Sequence, residues 1–254
     1  METLTSPDGV TIAYERSGAG PALVIVNGAL STRDTGAALA PLLDGDFTLY
    51  RYDRRGRGDS SDREGSTPQD EIADLAAVIS ATGETPFVFG QSSGAALSLE
   101  TAASGVPFGG LVVNEPPYVP GPATTAGAAG ELAALAADGR RDEAVERFMQ
   151  GSGIPEAMIE RTKASPAWPG LLALAQTLAY DIRLLNEGEV PARRLSAIAC
   201  PVLGTAGSLS PPWAEASVRA VADAVQDGEW RTLEGQAHNV APDVLASLLR
   251  ERFL

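Results

Sequence analysis

The sequence predicts an α/β protein: a mostly parallel, twisted sheet with helices on both faces and one helical insertion. Three observations predict it. Short apolar runs alternate with helical patterns along most of the chain, as strands joined by helical crossovers do. One segment, from Pro116 to about Leu195, breaks the alternation and offers no convincing strand. And Gly90-Gln91-Ser92-Ser93-Gly94 falls directly after the apolar run Phe87-Val88-Phe89 and directly before the helical run Ala95–Glu100, at a strand-to-helix turn.

Taken in order, Val10–Tyr14, Leu23–Val26, Phe47–Tyr52, Phe87–Phe89, Leu111–Val113 and Val202–Leu203 read as strands, with Trp230–Leu233 a weaker candidate. Helical patterns fall at Thr35–Leu43, Pro68–Ala81, Ser93–Ala103, Pro212–Val225 and Val240–Phe253. The second of these has Thr67 as a cap, Pro68 in its first turn, and Asp70 and Glu71 where the helix dipole favours negative charge. The insertion opens with Pro116-Pro117 and a Gly/Ala/Pro/Thr-rich stretch to Gly130. Helical runs then follow at Glu131–Ala137, Asp142–Met149, Pro155–Lys163 and Leu171–Leu185. The predicted division is a core of residues 1–116 and 196–254, with 117–195 as a helical cap on it.

The serine in the turn carries the chemistry. A Ser forced into a sharp strand-to-helix turn holds its hydroxyl clear of the sheet. Glycines at both flanks leave no Cβ in the way. The next backbone N–H, that of Ser93, sits at a helix N-terminus, where an oxyanion is stabilised. Ser92 is therefore read as a nucleophile.

Composition narrows the alternatives. The 254 residues suit one core with an insertion, and 44% hydrophobic content is enough to fill it. Acidic residues outnumber basic ones 33 to 19, for a formal charge of −14. That balance argues against nucleic acid and against anionic membranes, both of which need a basic surface. Cys200 is the only cysteine and His238 the only histidine, so neither an internal disulfide nor a zinc site is expected. The Met1 end carries no cationic and apolar leader, and no apolar run approaches the roughly 18 residues of a membrane span. The expectation is a cytoplasmic monomer or homodimer that binds a small-molecule substrate and needs no cofactor.

By this point the chain resembles the α/β-hydrolase superfamily along nearly its whole length. Ser6–Tyr14 is similar to the family's first hairpin. Val26-Asn27-Gly28-Ala29-Leu30 falls where the family usually has a His-Gly oxyanion turn, and Tyr52-Asp53-Arg54-Arg55-Gly56-Arg57-Gly58-Asp59-Ser60 resembles its D-x-R-G-x-G-x-S loop. Gln236-Ala237-His238, just before the last helix, completes the order nucleophile first, histidine last. The resemblance implies about eight strands and a cap inserted after the sixth. It makes His238 the general base and gives the oxyanion donors as the N–H groups of Ala29 and Ser93. It gives Asp53 a structural role. Asn27 stands where the family commonly has histidine.

One family marker is displaced. The family's acid usually follows the seventh strand in a loop like G-x-x-D, and that slot here, in Gly207-Ser208-Leu209-Ser210, holds Ser210. A hydroxyl cannot offset imidazolium charge as a carboxylate does. Some members, haloalkane dehalogenases among them, take the acid from the end of the sixth strand, and Glu115 in Val113-Asn114-Glu115-Pro116-Pro117 occupies that position. Glu234, in the histidine's own loop, is the rival, whereas Asp243 reads as a first-turn helix charge.

The expected function is hydrolysis of a small or medium, largely apolar carboxylic ester or thioester through an acyl-enzyme, by Ser92, His238 and Glu115. Asn27, Tyr118, Phe148 and Trp168 are the candidate substrate contacts. The alternative is a non-hydrolytic descendant of the fold, a cyclase, lyase or ligand-binding protein using the same cavity. A dehalogenase or epoxide hydrolase is disfavoured because those chemistries use an aspartate nucleophile.

Overall fold

In the computed structural model, which describes residues 1–254, the chain enters its sheet through an antiparallel hairpin of β1 (Glu2–Thr5) and β2 (Thr11–Gly18). There follow β3 (Ala22–Val26), α1 (Ala40–Leu43), β4 (Thr48–Tyr52), α2 (Pro68–Thr82), β5 (Phe87–Gln91), α3 (Ser93–Ala103) and β6 (Gly110–Asn114). A wholly helical stretch then runs through α4 (Ala126–Ala137), α5 (Arg141–Gly151), α6 (Glu156–Lys163), α7 (Trp168–Leu172), α8 (Leu178–Leu184) and α9 (Ala192–Leu195). The chain closes with β7 (Val202–Gly207), α10 (Pro212–Ala224), β8 (Gly228–Leu233) and α11 (Pro242–Phe253).

The eight strands form one sheet in the order β1-β2-β4-β3-β5-β6-β7-β8. β2 pairs antiparallel with β1 and β4, and every pairing from β4 onward is parallel. β5 therefore lies mid-sheet between β3 and β6, and the ends of these strands bring the Asn27–Leu30 turn, the Ser92 turn and Glu115 side by side.

Both faces of the sheet are covered, and β3 shows how its sequence serves both. Ala22, Val24 and Val26 join the larger apolar core under α2, α3 and the helical segment, whereas Leu23 and Ile25 join a smaller one under α1 and α11. All five are buried, as continuous apolar strands between two helix layers must be. Each Leu or Val side chain so buried contributes on the order of 1.5–3 kcal/mol. Phe253 of α11 stacks on Phe87 with ring centroids 4.4 Å apart, fixing the last helix to the sheet.

Helix starts follow the sequence cues. Thr67 caps α2 with a reciprocal pair: its backbone N–H donates to the Asp70 carboxylate at 2.8 Å and its hydroxyl accepts from Asp70 N–H. Three elements differ from expectation. β1 is a short, largely exposed edge strand with no apolar signature. The Thr35–Leu43 helix begins as 3-10 turns over Arg33–Leu39 and becomes α-helical only at Ala40, where Pro41 has no N–H to give the preceding turn. The single helix expected over Leu171–Leu185 is broken between α7 and α8 by a 3-10 turn at Ala175–Thr177. No helix of the structure is long and apolar enough to cross a membrane.

Candidate active site

β5 and α3 meet at Ser92, whose backbone is held at φ 57°, ψ −125°, a conformation that a non-glycine residue rarely adopts. Its N–H donates to the Asn114 carbonyl of β6 at 2.9 Å, and its own carbonyl accepts from Ala95 N–H at 2.9 Å, so the strain is imposed from both sides. The flanking glycines are required by close approach. A Cβ on Gly94 would lie 2.2 Å from the Val26 carbonyl oxygen, and one on Gly90 would lie 2.7 Å from Ala95 Cα. The turn thus packs directly under the end of β3.

Glu115 follows β6 and is also at positive φ, 46°. Its carboxylate is fully buried, yet both oxygens have partners. Oε1 accepts from Gly207 N–H at 2.9 Å and from the Ser210 hydroxyl at 2.6 Å, and Oε2 lies 2.7 Å from His238 Nδ1. Burial pushes the Glu115 carboxyl up, but the hydrogen bonds from His238, Ser210 and Gly207 outweigh it and hold it below the usual carboxylate range. Glu115 is therefore ionised at neutral pH, and Nδ1 of His238 carries the proton that it accepts. Nε2 is left as the basic atom on a side chain 42% exposed.

The histidine loop is fastened by its backbone. The His238 carbonyl accepts from Gln91 Nε2 at 2.8 Å and from Asn114 Nδ2 at 3.2 Å. Asn114 Nδ2 also donates to Gln91 Oε1 at 3.1 Å, and Thr205 Oγ1 donates to Asn114 Oδ1 at 2.9 Å. The residues immediately before Ser92 and before Glu115 thereby hold the chain at His238. In this resting geometry no hydrogen bond joins Ser92 Oγ to the imidazole, whose Nδ1 is taken by Glu115. Bonds of this kind tighten when substrate is in place.

Facing Ser92 is the Asn27–Leu30 turn. A Cβ on Gly28 would sit 2.9 Å from Ser92 Cβ, so backbone passes close to the serine. Ala29 N–H takes no part in the chain's hydrogen bonds, and Ser93, first residue of α3, carries an N–H that a helix start leaves unpaired. Leu30 sits at φ 55°. The non-glycine residues at positive φ are Leu30, Ser92, Glu115, Asn186 and Glu187, and the first three surround this one place. Strain of this sort, about 1–3 kcal/mol each, gathers where geometry serves function.

The other expected residues fall as follows. Asn27 is buried and donates to the Thr32 carbonyl at 3.0 Å, so its side chain shapes the turn. Trp168 donates from Nε1 to Asp142 at 2.9 Å within the helical segment, and Phe148 packs against the large core. Tyr118 is buried with no partner for its hydroxyl, and burial pushes its ionisation up. Asp53 is fully buried and accepts from Asp59 N–H at 3.0 Å and Arg33 N–H at 2.7 Å, the structural duty expected of it. Glu234, the rival acid, makes no hydrogen bond or ion pair with His238, whose Nδ1 faces Glu115.

Two features lie apart. A groove of about 510 Å3 between α4 and α5, lined mainly by charged residues such as Glu131, Arg140 and Arg147, contains none of these side chains. Glu146, Glu156 and Glu160 come close together at the surface, and Lys163 Nζ, 3.1 Å from Glu146 and 3.0 Å from Glu160, already pairs with two of the three.

Comparison with known proteins bears on the fold that carries this site. The family model described as "Alpha/beta hydrolase family" matches residues 23–248. The chain belongs to the alpha/beta hydrolase family. Among solved structures, this family member is similar to an alpha/beta hydrolase from Sphaerobacter thermophilus, with 45% identity over 100% of both chains and a TM-score of 0.92. It shares its fold with an esterase from Rhodococcus sp. (21% identity, 99% of this chain and 97% of that one, TM-score 0.72). It does so too with an enol-lactonase from Burkholderia xenovorans (16% identity, 98% of each chain, TM-score 0.77). No curated protein matches this alpha/beta hydrolase.

Sequence reasoning missed one group. Asp181 of α8 is fully buried, accepts from the Ser93 hydroxyl at 2.6 Å, and pairs with Arg54 at 2.8 Å and Arg57 at 2.9 Å. Burial pushes its carboxyl up, but Arg57 and Arg54 outweigh that and hold it below the ordinary range. It lies in a segment without motif, so nothing local marks it.

Proposed function

We propose that this alpha/beta hydrolase is a serine hydrolase of small or medium, largely apolar carboxylic esters or thioesters, with residues 117–195 as a helical cap over the site. The observation that carries the reading is the Glu115–His238 contact at 2.7 Å, because it supplies the carboxylate that position 210 lacks. The esterase and enol-lactonase folds point the same way, since a lactone is a cyclic ester.

In this mechanism His238 Nε2 takes the Ser92 proton as Oγ bonds to the acyl carbon. The carbonyl π electrons move onto oxygen, and the N–H groups of Ala29 and Ser93 receive the resulting anion. Imidazolium formation is stabilised by ionised Glu115, which also fixes the ring's tautomer. His238 then returns the proton to the leaving alcohol or thiol as its bond to carbon breaks. Water repeats the sequence on the acyl-enzyme, releasing the acid and free Ser92.

The non-hydrolytic alternative rests on the missing acid at position 210 and on Asn27 in place of the family's common histidine, and Glu115 weakens the first of these grounds. A fluorophosphonate probe together with acyl-chain profiling of p-nitrophenyl esters tests the proposal. Wild-type protein should label and turn over, and Ser92→Ala should do neither. Equal turnover by Ser92→Ala would overturn the proposal.

A further inference from the structure

The oxyanion turn is held from behind by a buried cation. Arg57 Nη1 donates to the Gly28 carbonyl oxygen at 2.7 Å. That carbonyl and the Ala29 N–H belong to one peptide group. The chain has no cis peptide bond, so the two point in opposite directions. Anchoring the oxygen on the far side therefore aims the N–H at the space beside Ser92. A guanidinium on the oxygen also draws electron density from the peptide, which makes its N–H a stronger donor.

Arg57 is itself oriented. Its Nη2 lies 2.9 and 3.0 Å from the two oxygens of Asp181, and both side chains are buried. Asp181 also accepts from Ser93 Oγ at 2.6 Å, and Ser93 carries the second candidate donor. Arg54 completes the group. It reaches Asp181 with Nη1 at 2.8 Å and Glu71 with Nε at 3.1 Å, and Nη1 also lies 3.4 Å from the Asn27 carbonyl. One carboxylate from the helical segment thus stands behind both donor residues. A buried ion pair is weak ground for stability, because desolvation offsets much of its attraction. Its placement here has a more specific explanation.

We infer that Arg57 and Asp181 are positioning residues for the reaction: Arg57 orients and polarises the Gly28–Ala29 peptide, and Asp181 of α8 fixes Arg57 together with Ser93. This rests on the serine-hydrolase reading above and adds a dependence of that chemistry on α8.

The test compares Arg57→Met, Arg57→Lys and Asp181→Asn with wild type. Active sites are counted by exhaustive fluorophosphonate labelling, so that rates refer to folded, competent enzyme. For Arg57→Met, kcat per labelled site should fall about 10- to 100-fold with KM within about twofold, a part of the 10²–10³ that losing a whole donor costs. Inhibition by a trifluoromethyl ketone, which forms a tetrahedral oxyanion on Ser92, should weaken by the same factor as kcat/KM. Arg57→Lys keeps the charge without the fork and should fall between, and Asp181→Asn should resemble it. A purely structural role would reduce the labelled fraction and the melting temperature, leaving kcat per site and ketone affinity at wild-type values; that result overturns the inference. If Arg57→Met does not fold, the Lys and Asn variants decide by the same two readouts. Turnover surviving in Ser92→Ala would instead remove the hydrolase reading itself, whatever the Arg57 variants do.

Discussion

The Ser210 hydroxyl lies 2.6 Å from Glu115 Oε1, so the position at which the family ordinarily carries its acid here donates to a carboxylate at the end of the neighbouring strand. Ser210 and Gly207 N–H occupy one carboxylate oxygen and leave the other to His238. The two positions, 95 residues apart in sequence, thus share one carboxylate, and its second oxygen faces the imidazole.

This arrangement predicts an exchange of acids. Glu115→Gln should lower kcat by about 10³–10⁴ with the fold intact, as loss of a triad acid does. Adding Ser210→Asp to it should restore part of that loss, by placing a carboxylate where Glu115 now accepts. Ser210→Asp alone sets two carboxylates against each other and should lower activity. Steady-state kinetics on the three variants decides it; a double variant no better than Glu115→Gln would contradict the exchange.

Ser210→Ala removes a hydrogen bond to a buried charge. It should destabilise the protein by about 1–3 kcal/mol and reduce kcat several-fold. Urea unfolding gives the first figure, and an unchanged midpoint would show that the 2.6 Å contact contributes nothing.

The two glycines beside Ser92 should respond differently. At Gly94 an added Cβ meets the backbone oxygens of Val26 and Asn27 at 2.2 and 2.6 Å, so Gly94→Ala should fold poorly. At Gly28 the nearest atom is Ser92 Cβ at 2.9 Å, so Gly28→Ala should displace the serine and cost activity more than stability. Melting temperatures set beside per-site rates separate the two effects.

Acid should unfold the protein partly through Glu115 and Asp181. Both carboxyls are held below their ordinary values in the folded chain. Their stabilisation is complete above the unfolded carboxylate pKa of about 4 and is lost as pH falls through the lower folded values. Glu115→Gln should flatten the decline in unfolding free energy below about pH 4.5, and an unaltered slope in stepped-pH urea titrations would refute this.

Because His238 is the only histidine, its tautomer can be read without assignment. Nitrogen-15 NMR at a pH where the ring is neutral should show Nδ1 protonated and Nε2 bare. The opposite tautomer would contradict the Glu115 contact.

Much of this site is legible along the chain because it is local. The Ser92 turn needs only a strand, a helix and two small residues, all within Phe87–Glu100. The Asn27–Leu30 turn and Glu115 lie at strand ends, and it is the resemblance to the α/β-hydrolases that marks them out there. What could not be read depends on contacts between distant segments. Ser210 looks like an empty slot until β7 is laid beside β6, and Asp181 looks like any helical acid until α8 is packed against Ser93. β1 has no apolar alternation, since as an exposed edge it buries little. The split between α7 and α8 likewise answers to packing, and no proline or glycine marks Ala175–Thr177.

The backbone at Leu30, Ser92 and Glu115 also bears on the history of the chain. Each of these residues is held at a positive φ that glycine adopts without strain. A lineage that ceased to use this pocket could relieve the backbone at Leu30 or Ser92 by one change to glycine, whereas at Glu115 the hydrogen bonds lost with the carboxylate would offset the gain. A leucine, a serine and a glutamate standing together at these angles concentrate the chain's backbone strain around one pocket.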